Sequence, residues 1–205
     1  MRPPGGLGKV ATIDHKARKQ RIVRQSVVLF AKVGFKDVTF QMLADHCGIS
    51  RTVLYRYFND KWQIFNAAIR EVVGRIVRKH AEIMRSKAGA ADRIRQICTA
   101  AAATLFDNPD FLVMVMEVVT ATQRGGRDLS RHIMRHTIGL KRIIQTLIVE
   151  GRETGEFRQD VNAELYTDLI YTQFESALLR ITVSRDASIT DTLDRIDELL
   201  KGLKA

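Results

Sequence analysis

An all-α fold is predicted for this chain of 205 residues, and three observations predict it. Its three prolines are Pro3, Pro4 and Pro109, so long stretches lack the residue that most strongly interrupts a helix. Apolar residues recur at intervals of three and four in every long segment, and no segment alternates with a period of two. Cap and stop residues (Thr39, Ser50, Asp60, Asn108, Gly48, Gly155) fall between those segments at helix-like distances.

Residues 1–15 are rich in Pro and Gly and carry Arg2 and Lys9, which reads as a flexible basic arm. The first helix is expected over Lys16 to Val33, burying Ile22, Ser26, Leu29, Phe30 and Val33 on one face. Two short helices follow in TFQMLADHCGISRTVLYRYF, residues 39–58. Thr39 is suited to cap the first. Gly48 supplies the left-handed residue of a tight turn, Ile49 fills the angle, and Ser50 caps the second. Small Ala44 lets the helices cross. Leu54 and Phe58 point inward, leaving Arg51, Thr52, Tyr55 and Arg56 outside. That is the arrangement of a helix-turn-helix, which presents donors to phosphates and base edges of DNA.

With its flanks, the stretch I..QSVVLFAKVGF..VTFQMLADHCGISRTVLYRYFNDKWQI, residues 22–64, resembles the amino-terminal domain of TetR-family transcriptional regulators. Leu29 and Phe30, Gly34 and Phe35, Thr39, and the run Leu54, Tyr55, Tyr57, Phe58, Lys61 carry the resemblance. His46, Cys47, Thr52 and Val53 depart from it and bear on which sequence is read. The resemblance implies a three-helix DNA-binding domain over residues 16–76 and a helical ligand-binding and dimerisation domain over 77–205. It also implies that Lys61 contacts phosphate beside the recognition helix. The expected partner is double-stranded DNA with a palindromic operator: Arg51, Thr52, Tyr55 and Arg56 face the groove, while Thr39, Ser50 and Lys61 hold phosphates.

Charge agrees with that division. Residues 1–62 hold 12 Lys and Arg against 4 Asp and Glu, a net +8, whereas residues 63–205 carry only +2 of the total +10. A basic amino-terminal part suits a polyanionic partner.

Asp60 with Gln63 predicts a capping box opening a long helix from Lys61 to about Arg85. Residues 86–91 form a loop, and Asp92 to Asp107 the next helix. Asn108, Pro109 and Asp110 read as cap, first-turn proline and first-turn acid of another, which opens on FLVMVM and is expected to be buried all round there. Gly125 and Gly126 end it. A helix over Asp128 to Arg152 and two more over Asn162 to Val183 and Ser188 to Leu203 complete the chain. The apolar width of the last two exceeds what one partner helix covers, which predicts a homodimer through them.

A ligand pocket among these helices would draw on His80, Met84, Phe106, Phe111, Met114, Tyr171 and Phe174, adaptable and aromatic walls for a small, mostly apolar effector. Glu117 interrupts an apolar helix in a row with Thr120 and Arg124, a solvated stripe. His132 and His136 have metal-sharing spacing, but Arg131 and Arg135 flank them, so no metal and no cofactor are expected. No nucleophile with its base, no phosphate-cradling loop and no placed carboxylate pair is present for an enzyme to rest on. Cys47 and Cys98 read as free thiols of a cytoplasmic protein, nucleoid-associated when on DNA. No segment is apolar for long enough to span a membrane. The expected outcome is a repressor released by its ligand. The alternative is an effector-independent DNA-binding dimer whose carboxy-terminal domain serves only dimerisation or a protein partner.

Overall fold

A computed structural model describes the backbone of residues 7–123, 130–183 and 188–205, and their side chains except at 7–14, 120–123, 130–138 and 182–183. The described residues are helical apart from turns and one isolated antiparallel bridge between Phe157 and Lys204. The chain divides into two compact units, Met1–Glu71 and Val72–Ala205.

The first unit holds α1 (Leu7–Val33), α2 (Phe40–His46), α3 (Arg51–Tyr55) and the start of α4 (Lys61–Met84). Helix α1 begins at Leu7, well before the expected Lys16, so residues 7–15 have helical backbone. After Pro4 no residue lacks a backbone donor until Pro109, and nothing stops the helix from propagating back to Leu7. Arg2 lies outside the described residues. Around α1 and α4 gather Phe30, Phe35, Trp62 and Phe65, with ring centroids 4.7 to 5.8 Å apart. Ala44, Leu43 and Leu54 are fully buried, which brings α2 and α3 close. Gly48 turns the chain between them at φ 64°, a conformation a side chain would strain. The start of α4 is capped: Asp60 accepts from the Gln63 N–H at 2.8 Å, and the Gln63 side chain accepts from the Asn59 N–H at 3.0 Å.

The second unit is built from the rest of α4 with α5 (Ala90–Phe106), α6 (Pro109–Gln123), α7 (Ser130–Glu153), α8 (Ala163–Val183) and α9 (Ile189–Lys201). Its core joins Ile94, Ile97 and Cys98 of α5, Ile144 and Leu147 of α7, Ile170 and Phe174 of α8, and Ile196 of α9. Gly151 lies under the ring of Phe157, where a Cβ would collide with it. Helix α5 has no side-chain cap of its own; the Glu156 carboxylate accepts from the N–H groups of Ala90 and Ala91, at 2.6 and 2.9 Å. That supplies the anion a helix N-terminus favours from a residue distant in sequence.

Two further expectations change here. Asn108 precedes α6 as expected, but its amide turns away: Nδ2 donates to the Thr104 carbonyl and Oδ1 accepts from Arg75. The opening of α6 is not buried all round, since Met116 is 39% exposed while Phe111, Leu112 and Met114 are buried. The packing against α5 and α8 covers only part of the helix circumference. Gly125 and Gly126 lie outside the described residues.

Candidate functional site

The outward face of the helix-turn-helix is positioned by two caps. Thr39 and Ser50 are both extended; the Thr39 hydroxyl accepts from the Met42 N–H at 3.2 Å, and that of Ser50 from Val53 at 3.3 Å. Each capping residue is exposed and its hydroxyl keeps its own proton, so it can still donate to a phosphate. Arg51, Thr52, Tyr55 and Arg56 are all exposed on α3 and its C-cap, while Leu54 and Phe58 behind them are buried. Tyr55 is held from two sides. Its ring lies 4.7 Å from that of Phe40, and its hydroxyl accepts from Arg51 at 3.2 Å. The Arg51 guanidinium is thus aligned along the face by a residue one turn away. Arg18, Arg21, Arg24 and Lys36 of the same unit are exposed as well.

Lys61 occupies a different position from the one implied for a phosphate ligand. Its ammonium donates to the carbonyl oxygens of Phe35, Lys36 and Val38, at 2.6, 2.7 and 3.1 Å, and sits over the Phe35 ring. An ammonium has three donors, and these three carbonyls use them. The residue ties the start of α4 to the segment that leads into α2, and a phosphate could reach the ammonium only by displacing a carbonyl.

In the second unit, α4 and α7 border a pocket of about 270 Å³ lined by Val73, Ile76, Val77, His80, Ala81, Met84, Gly139, Leu140 and Ile143. Two of the seven side chains expected there, His80 and Met84, line it. The others do not: Phe174 and Met114 are packed core, Phe111 is buried, Phe106 packs on the core edge, and Tyr171 lies half-buried with Lys141 over its ring. Aromatic and sulfur-bearing residues fill the interior because they are its bulkiest apolar pieces. The pocket walls missed from sequence are aliphatic residues of α4 and α7. Their signal was the breadth of the α4 apolar stripe, which runs on from Val73 to Val77. His80 is 5% exposed; burial pushes its imidazole below the ordinary range, against a hydrogen bond to the Ile97 carbonyl.

Glu117 is half-buried on α6, and the side chains of Thr120 and Arg124 lie outside the described residues. So do those of His132 and His136. Among the described residues no cluster of three His, Cys, Asp or Glu could hold a metal. No described helix is long and apolar enough to cross a membrane.

Two family models divide the chain between them. That described as "Bacterial regulatory proteins, tetR family" matches residues 22–68, and that described as "YsiA-like protein, C-terminal region" matches residues 69–200. The chain belongs to the TetR family. TetR-family proteins are DNA-binding transcriptional regulators, not enzymes, and the helix-turn-helix of α2 and α3 lies within the first matched segment. The chain is similar to the HTH-type transcriptional repressor AcnR of Corynebacterium jeikeium, at 25% identity over 96% of this chain and 98% of the relative. It is similar also to the HTH-type transcriptional regulator YerO of Bacillus subtilis, at 21% identity over 91% of this chain and only 65% of that longer protein. Among solved structures, a TetR transcription regulator from Haloarcula marismortui superposes with a TM-score of 0.76 at 19% identity, covering 93% of this chain and all of that one. The last likeness is one of fold.

Proposed function

We propose that this TetR-family regulator is a homodimeric repressor whose α3 helices read a palindromic operator and which a small, mostly apolar ligand releases. The observation that carries the DNA-reading part is the exposed set Arg51, Thr52, Tyr55 and Arg56, fixed by two capped helices and the Phe40 ring. Arg51 and Arg56 are the readers of guanine, since a guanidinium can donate twice to one base edge. Thr39 and Ser50 hold phosphates. Lys61 acts by holding the domain together.

Dimerisation is supported by α8. Leu165, Leu169 and Leu179 are 53, 39 and 57% exposed, and with Thr172 and Ser176 they make one stripe at intervals of three and four. An apolar stripe of this length calls for a cover, and a two-fold axis supplies the same stripe from a second copy. Ile196, Leu200 and Leu203, by contrast, are buried within the chain, so α8 contributes more of the interface than the last helix. Repression is supported by the likeness to AcnR, which bears that name.

Ligand control is supported by the pocket against α4. This helix starts in the DNA-binding unit and ends in the other, so a ligand that prefers one setting of α4 biases DNA binding. DNA must then weaken ligand binding by the same factor. A dimerisation-only domain has no use for such a pocket.

The test is binding of the purified protein to fragments selected from a genomic library. A shared palindrome is expected, and Arg56→Ala relaxes its sequence preference. Binding without a shared sequence would overturn the reading.

A further inference from the structure

Residues 15–36 carry seven Lys and Arg and no Asp or Glu. All seven are exposed, and among the described residues none of them is in an ion pair. The acids that bound the run are Asp14, whose side chain lies outside the described residues, and the exposed Asp37. The amino-terminal end of this run is fixed against the recognition helix. The His15 ring lies 4.5 Å from that of Tyr57, and Lys19, one turn further on, holds its ammonium 5.1 Å from the centre of the Phe58 ring. Tyr57 and Phe58 directly follow Arg56, the C-cap of α3. With His15 and Lys19 on the contacting face of α1, helical spacing puts Lys16 and Arg18 on its two flanks, both exposed. An α-helix about 10–12 Å across fills a major groove about 12 Å wide. A helix packed beside the end of α3 then stands over the phosphate ridge that borders the groove.

We propose that Lys16 and Arg18 make a second DNA contact, together neutralising at least one phosphate of the backbone that borders each half-site. The contact carries no sequence information, and His15 on Tyr57 and Lys19 on Phe58 hold it in register with α3. This rests on the reading of α3 as the recognition helix and adds a clamp on a separate element.

The experiment measures the affinity of the full-length protein for the selected operator duplex and for a random-sequence duplex from about 50 to 200 mM salt. In the double variant Lys16→Gln, Arg18→Gln, the slope of log affinity against log salt on the operator is expected to be shallower by about 1.8 or more. Each phosphate contributes about 0.9 to the slope, and a palindrome presents the contact twice. The order of preference among singly substituted operators is expected to stay as in the wild type. Lys32→Gln removes a like charge about 24 Å along α1 from Lys16, beyond the ~8 Å screening length at physiological salt, and leaves the slope in place. An unchanged slope in the double variant overturns the proposal. So does a comparable fall in Lys32→Gln, which would make net charge the cause, or a changed order of preference, which would make the two residues readers of bases. Failure of the recognition-helix reading looks different, because the wild type then shows no preference for operator over random sequence. A slope that still flattens in the double variant on the random duplex would keep the phosphate contact and sink that reading. A preserved preference with an unmoved slope would do the reverse.

Discussion

The ammonium of Lys61 donates to the carbonyl oxygen of Phe35 at 2.6 Å and lies 4.9 Å from the centre of the same residue's ring. One lysine thus donates to three carbonyls, at Phe35, Lys36 and Val38, in the segment between α1 and α2. Removing it takes a donor from two part-buried carbonyls, at Phe35 and Val38, and one exposed carbonyl, at Lys36, a loss of about 1–3 kcal/mol. Lys61→Met is therefore expected to lower the melting temperature of the amino-terminal unit. The slope of log affinity against log salt stays as in the wild type, because no phosphate contact is lost. A shallower slope at unchanged stability would return Lys61 to the phosphate role.

Arg51 and Tyr55 act as a pair, because the guanidinium donates to the hydroxyl at 3.2 Å and lies against the ring. Arg51→Ala is expected to cost about 1–3 kcal/mol of discrimination at one base position. Tyr55→Phe keeps the ring on Phe40 and loosens Arg51, and a smaller loss at that same position is expected. Competition binding on single-substituted operators measures both; losses at unrelated positions would separate the two residues.

Gly151 and Gly139 sit in the same helix with opposite surroundings. A Cβ at 151 would enter the Phe157 ring, whereas one at 139 meets nothing within 4 Å. Helix propensity alone favours alanine by about 1 kcal/mol at either place. Gly139→Ala should therefore stabilise by up to that amount. Gly151→Ala should destabilise, since overpacking a core costs about 1–3 kcal/mol. Denaturant melts decide; a stabilised Gly151→Ala would mean that Phe157 moves freely.

Burial holds the His80 imidazole below its ordinary value of 6.5, so the folded state resists a proton that the unfolded state accepts. The sign is fixed by that direction: stability is complete above about pH 6.5 and falls as the pH drops below it. Among the described residues no other titratable side chain lines the pocket. Between pH 7 and 5 the wild type is expected to lose more stability than His80→Leu, read from melts at matched ionic strength. Equal losses would place the titrating group elsewhere.

Both thiols are buried, and burial raises each above the ordinary cysteine range, Cys98 far more than Cys47. Thiolate is the reactive form, so alkylation by iodoacetamide should follow unfolding rather than precede it. Rapid labelling of the native protein would contradict this.

The helix-turn-helix was legible because every signal there is local. Thr39 and Ser50 cap within three residues, Gly48 turns within one, and the spacing of Leu54 and Phe58 sets the outward face of α3. The role of Lys61 was not legible, since its carbonyl partners lie 23 to 26 residues away and a carbonyl has no residue signature. The same holds for Glu156 at the start of α5. The pocket was half legible. His80 and Met84 stand out by type, but whether a Phe or an aliphatic residue borders a cavity depends on how whole helices pack. Phe174 and Ile76 both fall on apolar helical stripes and cannot be told apart by pattern, yet the structure puts Phe174 in the core and Ile76 on the pocket wall.

The most direct test of the central claim is selection of genomic DNA fragments by the purified wild-type protein at near-physiological salt, followed by sequencing of what is retained. A shared palindrome is predicted, with half-sites about one helical turn, roughly 34 Å, apart, and its enrichment should collapse in Arg56→Ala. Retention of fragments with no common sequence, or an enrichment indifferent to Arg56, would contradict the account.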